Sequence, residues 1–163
     1  MSAETEQLVA ECERQVENCR DTAVSFIIWL RFLRYVKVFF TVSPIVCGAL
    51  ATWQVLSSQP TLAAVFTLLA TVLPPVYEAI KLDDVIRKYE TAAGEFTNLR
   101  DRFRQAKLVS SRKPFAEFST DFEELMDRLE KVRATSLAPP QWTFNNGQKI
   151  VNAGKYTNTI DMP

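Results

Sequence analysis

The chain has 163 residues, a length that fits one domain, and its 19 Lys and Arg balance its 19 Asp and Glu. Net neutrality argues against a nucleic-acid binder, whose affinity comes from neutralising phosphates. The absence of histidine removes imidazole acid–base chemistry, Ser-His and Cys-His nucleophile pairs and the commonest metal ligand.

The start of the chain is acidic (Glu4, Glu6, Glu11, Glu13) and its apolar run begins far inside. A secretory signal has the opposite order, so the first apolar segment is expected to be retained. Glycine is scarce and no alternating pattern persists, so the chain reads as almost all helix. The first helix is predicted from about Thr5 to Lys37. Its apolar positions Val9, Cys12, Val16, Cys19, Ala23, Phe26, Leu30 and Leu33 repeat at 3-4 spacing, the seam of a helix packed on a helix. A second stripe, Ile28, Trp29, Phe32 and Val36, could receive another helix or face lipid. The three cysteines are odd in number. Cys12 and Cys19 share a helix face and Cys47 lies mid-span, which fits a reducing cytoplasm better than a disulfide framework.

Forty residues follow, Val38 to Tyr77, without a charged side chain. Ser57-Ser58-Gln59-Pro60 divides them. The first half, Val38 to Leu56, would measure roughly 28 Å as a helix, close to the hydrocarbon thickness of a bilayer. Trp53 lies near its far end, where an amphipathic ring prefers the interface. Pro60 suits the first turn of the second span, Thr61 to about Tyr77. The competing reading is a hairpin buried in a soluble bundle, which would need covering on every side. Arg31, Arg34 and Lys37 precede the first span, and Lys81, Arg87 and Lys88 follow the second. That asymmetry places both termini in the cytoplasm and the hairpin loop outside. The same basic side chains could also grip anionic headgroups.

Inside the spans, Thr41, Gly48, Thr52, Thr67 and Thr71 are small or hydroxylated. They suit close helix packing, or the lining of a pore between several copies, since two helices cannot enclose a channel. Pro44, Pro74 and Pro75 interrupt the spans at similar depth. They suit a hinge or a static bend.

Glu78 to Lys107 is predicted as a charged helix with the seam Leu82, Val85, Tyr89, Ala92, Phe96, Leu99, Phe103 and Ala106. The two seams match in length, which suggests an antiparallel stalk with Leu33 near Leu82 and Val9 near Ala106. Leu108 to Pro114 breaks the pattern. A third amphipathic helix follows, with Phe115, Phe118, Phe122, Leu125, Leu129 and Val132 on one face, expected to fold back along the stalk. Pro139-Pro140 ends regular structure. The tail from Gln141 is expected to be irregular apart from a short helix around Gln148 to Asn152. Asp83-Asp84 and Glu123-Glu124 read as solvated surface. No phosphate loop, zinc spacing or nucleophile motif is present, so no catalytic, cofactor or metal residue is assigned and the chain is not expected to be an enzyme.

The expected fold is all-α: a transmembrane helical hairpin (38–80), an N-terminal amphipathic cytosolic helix (1–37), a cytosolic antiparallel stalk with a return helix (81–138) and a tail (139–163). This organisation resembles the SLATT family of two-transmembrane domains in bacterial conflict systems. The tail stretch Pro140-Gln141-Trp142-Thr143-Phe144, then Gly154-Lys155-Tyr156 and Asp161, is similar to the C-terminal pattern of some members. The resemblance implies a homo-oligomeric effector of the bacterial inner membrane that forms a pore or disrupts the bilayer. It also implies a nucleotide-sensing or signal-generating partner in anti-phage defence, and no cofactor. The alternatives are a non-conducting, membrane-anchored coiled-coil scaffold for a soluble partner and a holin-like lesion former.

Overall fold

The computed structural model describes residues 3–56 and 60–152. Among them every regular element is helical: α1 (Ala3–Leu56), α2 (Pro60–Ile80), α3 (Leu82–Leu108), α4 (Phe115–Thr135) and α5 (Gln141–Asn152), with a 3-10 turn at Ser110–Arg112. The loop residues Ser57, Ser58 and Gln59 and the tail residues Gly154, Lys155, Tyr156 and Asp161 lie outside the described residues. The segments expected as a cytosolic helix and a first span are one uninterrupted helix of 54 residues, with Pro44 inside it. Pro74 and Pro75 likewise lie inside α2.

The chain divides into two compact units, Met1–Trp29 with Lys88–Pro163, and Leu30–Arg87. In the first unit the 3-4 seams form the core. Cys12, Cys19, Ala23 and Phe26 of α1 are buried, as are Tyr89, Ala92, Phe96, Leu99, Phe103 and Ala106 of α3. The Phe26 ring stacks on Phe96 at 5.5 Å and tilts against Tyr89 at 5.8 Å. The Lys107 ammonium meets the Glu13 carboxylate at 2.7 Å. Low positions on α1 thus meet high positions on α3, so the two segments run antiparallel. Burial pushes the Cys12 and Cys19 thiols up to about 11, which keeps both protonated and unreactive at neutral pH.

Helix α3 ends at Leu108, the 3-10 turn reverses the chain, and Pro114 accepts the first amide bonds of α4 from Glu117 and Phe118. Phe118 and Leu129 fill the core from α4, while Phe115 stays exposed. Phe122 meets Phe103 at 6.0 Å and Arg128 pairs with Glu95 at 2.7 Å, which tie α4 antiparallel to α3.

The tail differs from the sequence expectation. Helix α5 begins directly after Pro140 and runs for 12 residues instead of a short stretch from Gln148. The Thr143 hydroxyl donates to the Pro140 carbonyl at 2.6 Å, holding the first turn, and Thr143 is fully buried. A Cβ on Gly147 would lie 3.1 Å from Ser25 Oγ and 3.6 Å from Val24 Cγ1, so glycine lets α5 approach α1 closely. The Trp142 ring sits edge-on to Trp29 at 5.8 Å. The second stripe of α1 therefore receives the tail helix at Trp29, where the third amphipathic helix was one candidate.

Candidate functional site

The second unit, Leu30–Arg87, contains the whole charge-free stretch. Both of its helices include a window of mean hydropathy 1.6, long and apolar enough to cross a membrane. Only 6% of each window is buried. Val38, Phe39, Val42, Ile45, Val46, Leu50 and Trp53 of α1 are exposed, and so are Leu62, Val65, Leu68, Leu69, Val72 and Val76 of α2. At 100° per residue these large apolar positions fill an arc of roughly 120–140° on each helix, and exposed Thr41, Thr52 and Val55 on α1 and Ala64, Thr67, Thr71 and Pro74 on α2 extend the exposed arc past half the circumference. A core hairpin of a soluble bundle is enclosed by its own chain. These helices are not, among the described residues.

The two helices meet through small side chains. Ala51 and Ala63 are buried, and the Phe40 and Tyr77 rings lie 6.2 Å apart. An open groove of about 480 Å³ is lined by Gly48, Ala51, Thr52 and Val55 of α1 and by Thr67, Ala70 and Thr71 of α2. Four of the five small or hydroxylated positions singled out in the sequence therefore border one groove. Thr41 is exposed and does not line it. Gly48 has open space where a Cβ would stand, so its smallness widens the groove and no close contact depends on it. Every one of these threonine hydroxyls bonds back to its own helix. Thr41 donates to Lys37 O at 2.9 Å, Thr52 to Gly48 O at 3.0 Å and Thr67 to Ala63 O at 2.8 Å. Thr71 donates toward Leu68 O at 2.9 Å and Thr67 O at 3.1 Å. Hydroxyls satisfied in this way can sit in an apolar medium at little cost.

A polar collar closes the charged end of the hairpin. Helix α2 stops at Ile80, and Lys81 takes φ 49°, the left-handed region that a non-glycine residue enters at a cost. Its N–H bonds to Glu78 O at 3.1 Å, and its carbonyl accepts the amides of Asp84 and Val85, so one residue ends α2 and starts α3. Asp83 and Asp84 then occupy the first turn of α3, where the helix dipole favours acids. The Lys37 ammonium donates to Asp83 Oδ1 at 2.7 Å and the Tyr77 hydroxyl to Asp83 Oδ2 at 2.8 Å. These bonds, Lys37 foremost, hold the Asp83 carboxyl below the usual aspartate range. Arg87 pairs with Asp84 at 3.0 Å. Sequence reasoning read Asp83-Asp84 as plain surface, because a partner 46 positions away leaves no local signal. All six basic residues assigned to topology or headgroups (Arg31, Arg34, Lys37, Lys81, Arg87 and Lys88) are exposed, and Lys37 and Arg87 are ion-paired with Asp83 and Asp84.

Among the described residues, no three His, Cys, Asp or Glu side chains gather where they could hold a metal ion. No family model matches the chain, and no curated protein or solved structure matches it.

Proposed function

We propose that this chain is an oligomeric membrane effector: the hairpin inserts into a bilayer, several copies associate, and the assembly forms a pore or disrupts the membrane. The observation that carries this reading is the hairpin's uncovered apolar faces, with 6% of each helix's apolar window buried and a groove of small residues open between the helices. Burying apolar surface is worth roughly 25 cal/mol per Å², so such a surface is unfavourable in water and at home in lipid. Basic residues at the collar end and an uncharged loop favour cytoplasmic termini in a bacterial inner membrane. The antiparallel α1–α3 pair would then be a cytosolic stalk, with α4 as its return helix and the prolines as hinges. The likeness to SLATT domains supports a nucleotide-sensing partner that triggers opening, because this chain has no phosphate-binding motif of its own.

The test is reconstitution into dye-loaded liposomes, with flotation to confirm insertion. The wild-type protein should release dye. The double variant Thr67→Leu/Thr71→Leu should insert equally well and release little. Unchanged release in that variant would rule out these threonines as pore lining. An inserted wild-type protein that releases nothing, with or without its partner, would favour the scaffold.

A further inference from the structure

The groove between α1 and α2 holds backbone acceptors that the chain itself leaves without their usual donors. Pro74 and Pro75 carry no N–H, so the carbonyls of Ala70 and Thr71 lack the i+4 bond that a mid-helix carbonyl normally accepts. Ala70 and Thr71 both line the groove. Positions 67, 70, 71 and 74 fall on one helix face, so the freed acceptors belong to the groove side of α2. The nearby hydroxyl protons are already used. Thr52 serves Gly48 O, Thr67 serves Ala63 O, and Thr71 serves Leu68 O and Thr67 O. No Lys or Arg occurs between Val38 and Tyr77 to supply positive charge. An unsatisfied carbonyl is strongly disfavoured in hydrocarbon, and irregular backbone at that depth is tolerated where it lines water. The groove has about 480 Å³, room for several waters at roughly 30 Å³ each.

We propose that this groove is a hydrated site for a small monovalent cation, with the Ala70 and Thr71 carbonyls as its principal oxygen acceptors. Carbonyl and hydroxyl oxygens present only negative partial charge to the ligand, as hard cations require. The inference rests on the hairpin lying in a bilayer, and if the assembly conducts, it predicts cation over anion passage.

The experiment separates the site from the pore. Ala70→Cys and Leu68→Cys are made in the full chain with Cys47→Ala; Cys12 and Cys19 remain, buried and unreactive. Leu68 is 63% exposed on the outer surface of α2 and serves as the lipid-facing control. In flotation-verified liposomes, Ala70→Cys should react with a cationic methanethiosulfonate at least about tenfold faster than Leu68→Cys, and faster than with an anionic reagent of equal size. Adding Pro74→Ala/Pro75→Ala restores both amide donors and should abolish the cationic preference. Equal labelling at positions 70 and 68, equal rates for the two reagents, or a preference that survives the alanine pair would each overturn the site. Potassium and chloride flux are read on the same vesicles. Rapid, cation-favoured labelling without flux would uphold the site and refute the pore, and chloride passing as readily as potassium would overturn the site.

Discussion

Lys81 is where one residue decides the course of the chain. Its φ of 49° separates two helices in a conformation that favours glycine. Lys81→Gly should stabilise the folded hairpin by about 1 kcal/mol, and Lys81→Val should destabilise it by more, both measured by thermal unfolding in detergent. Gly147 is the second such position. Its missing Cβ admits Ser25 Oγ, so Gly147→Leu should cost about 1–3 kcal/mol through overpacking, with a shift in tryptophan emission as the Trp29–Trp142 contact opens. The thiols of Cys12 and Cys19 favour the folded state in their protonated form. A raised pKa means that this contribution is whole below the ordinary value of 9.0 and is lost as pH climbs through about 11. An unfolding series from pH 8 to pH 11 should show the decline, and Cys12→Ser/Cys19→Ser should flatten it.

At the level of elements, the seams of α1 and α3 were legible because burial selects one helix face at 3-4 spacing, from Cys12 to Leu33 and from Leu82 to Ala106. Of helix α5 only the end, Gln148 to Asn152, was legible. The helix docks through Trp142, Thr143 and Gly147, and a buried threonine and glycine do not register as an apolar stripe. Glycine also reads as a breaker wherever its close neighbour is unknown. The boundary expected at Lys37–Val38 marks a change in composition that the backbone ignores, since α1 continues through it. The Lys37–Asp83–Tyr77 collar joins elements far apart in sequence, and no periodicity announces it. Asp83→Asn should loosen this junction, seen as faster hydrogen exchange at Asp84 and Val85, whose amides bond to Lys81 O. The charge swap Lys37→Asp/Asp83→Lys should restore part of the protection. Because the Asp83 carboxyl is held low, its contribution is present above the usual aspartate range and fades as pH falls below it.

At the scale of the whole molecule, a core built from paired seams and a hairpin bare of cover coexist in one chain. Charge segregation made that division visible in the sequence: the stretch from Val38 to Tyr77 has no Asp, Glu, Lys or Arg, and the flanking helices are dense with them. The groove was legible as residue types, Gly48, Thr52, Thr67 and Thr71, and its convergence needed the helix pairing. Its lack of charge leaves no local chemistry to name a signal or a partner. The central claim is that the hairpin enters a membrane and permeabilises it. The most direct measurement is membrane potential and dye entry in bacteria induced to express the chain, with fractionation on the same cells. The account predicts protein in the membrane fraction that resists carbonate extraction, together with depolarisation that Thr67→Leu/Thr71→Leu suppresses. Protein recovered in the soluble fraction, or fully inserted protein beside undisturbed membranes, would contradict it.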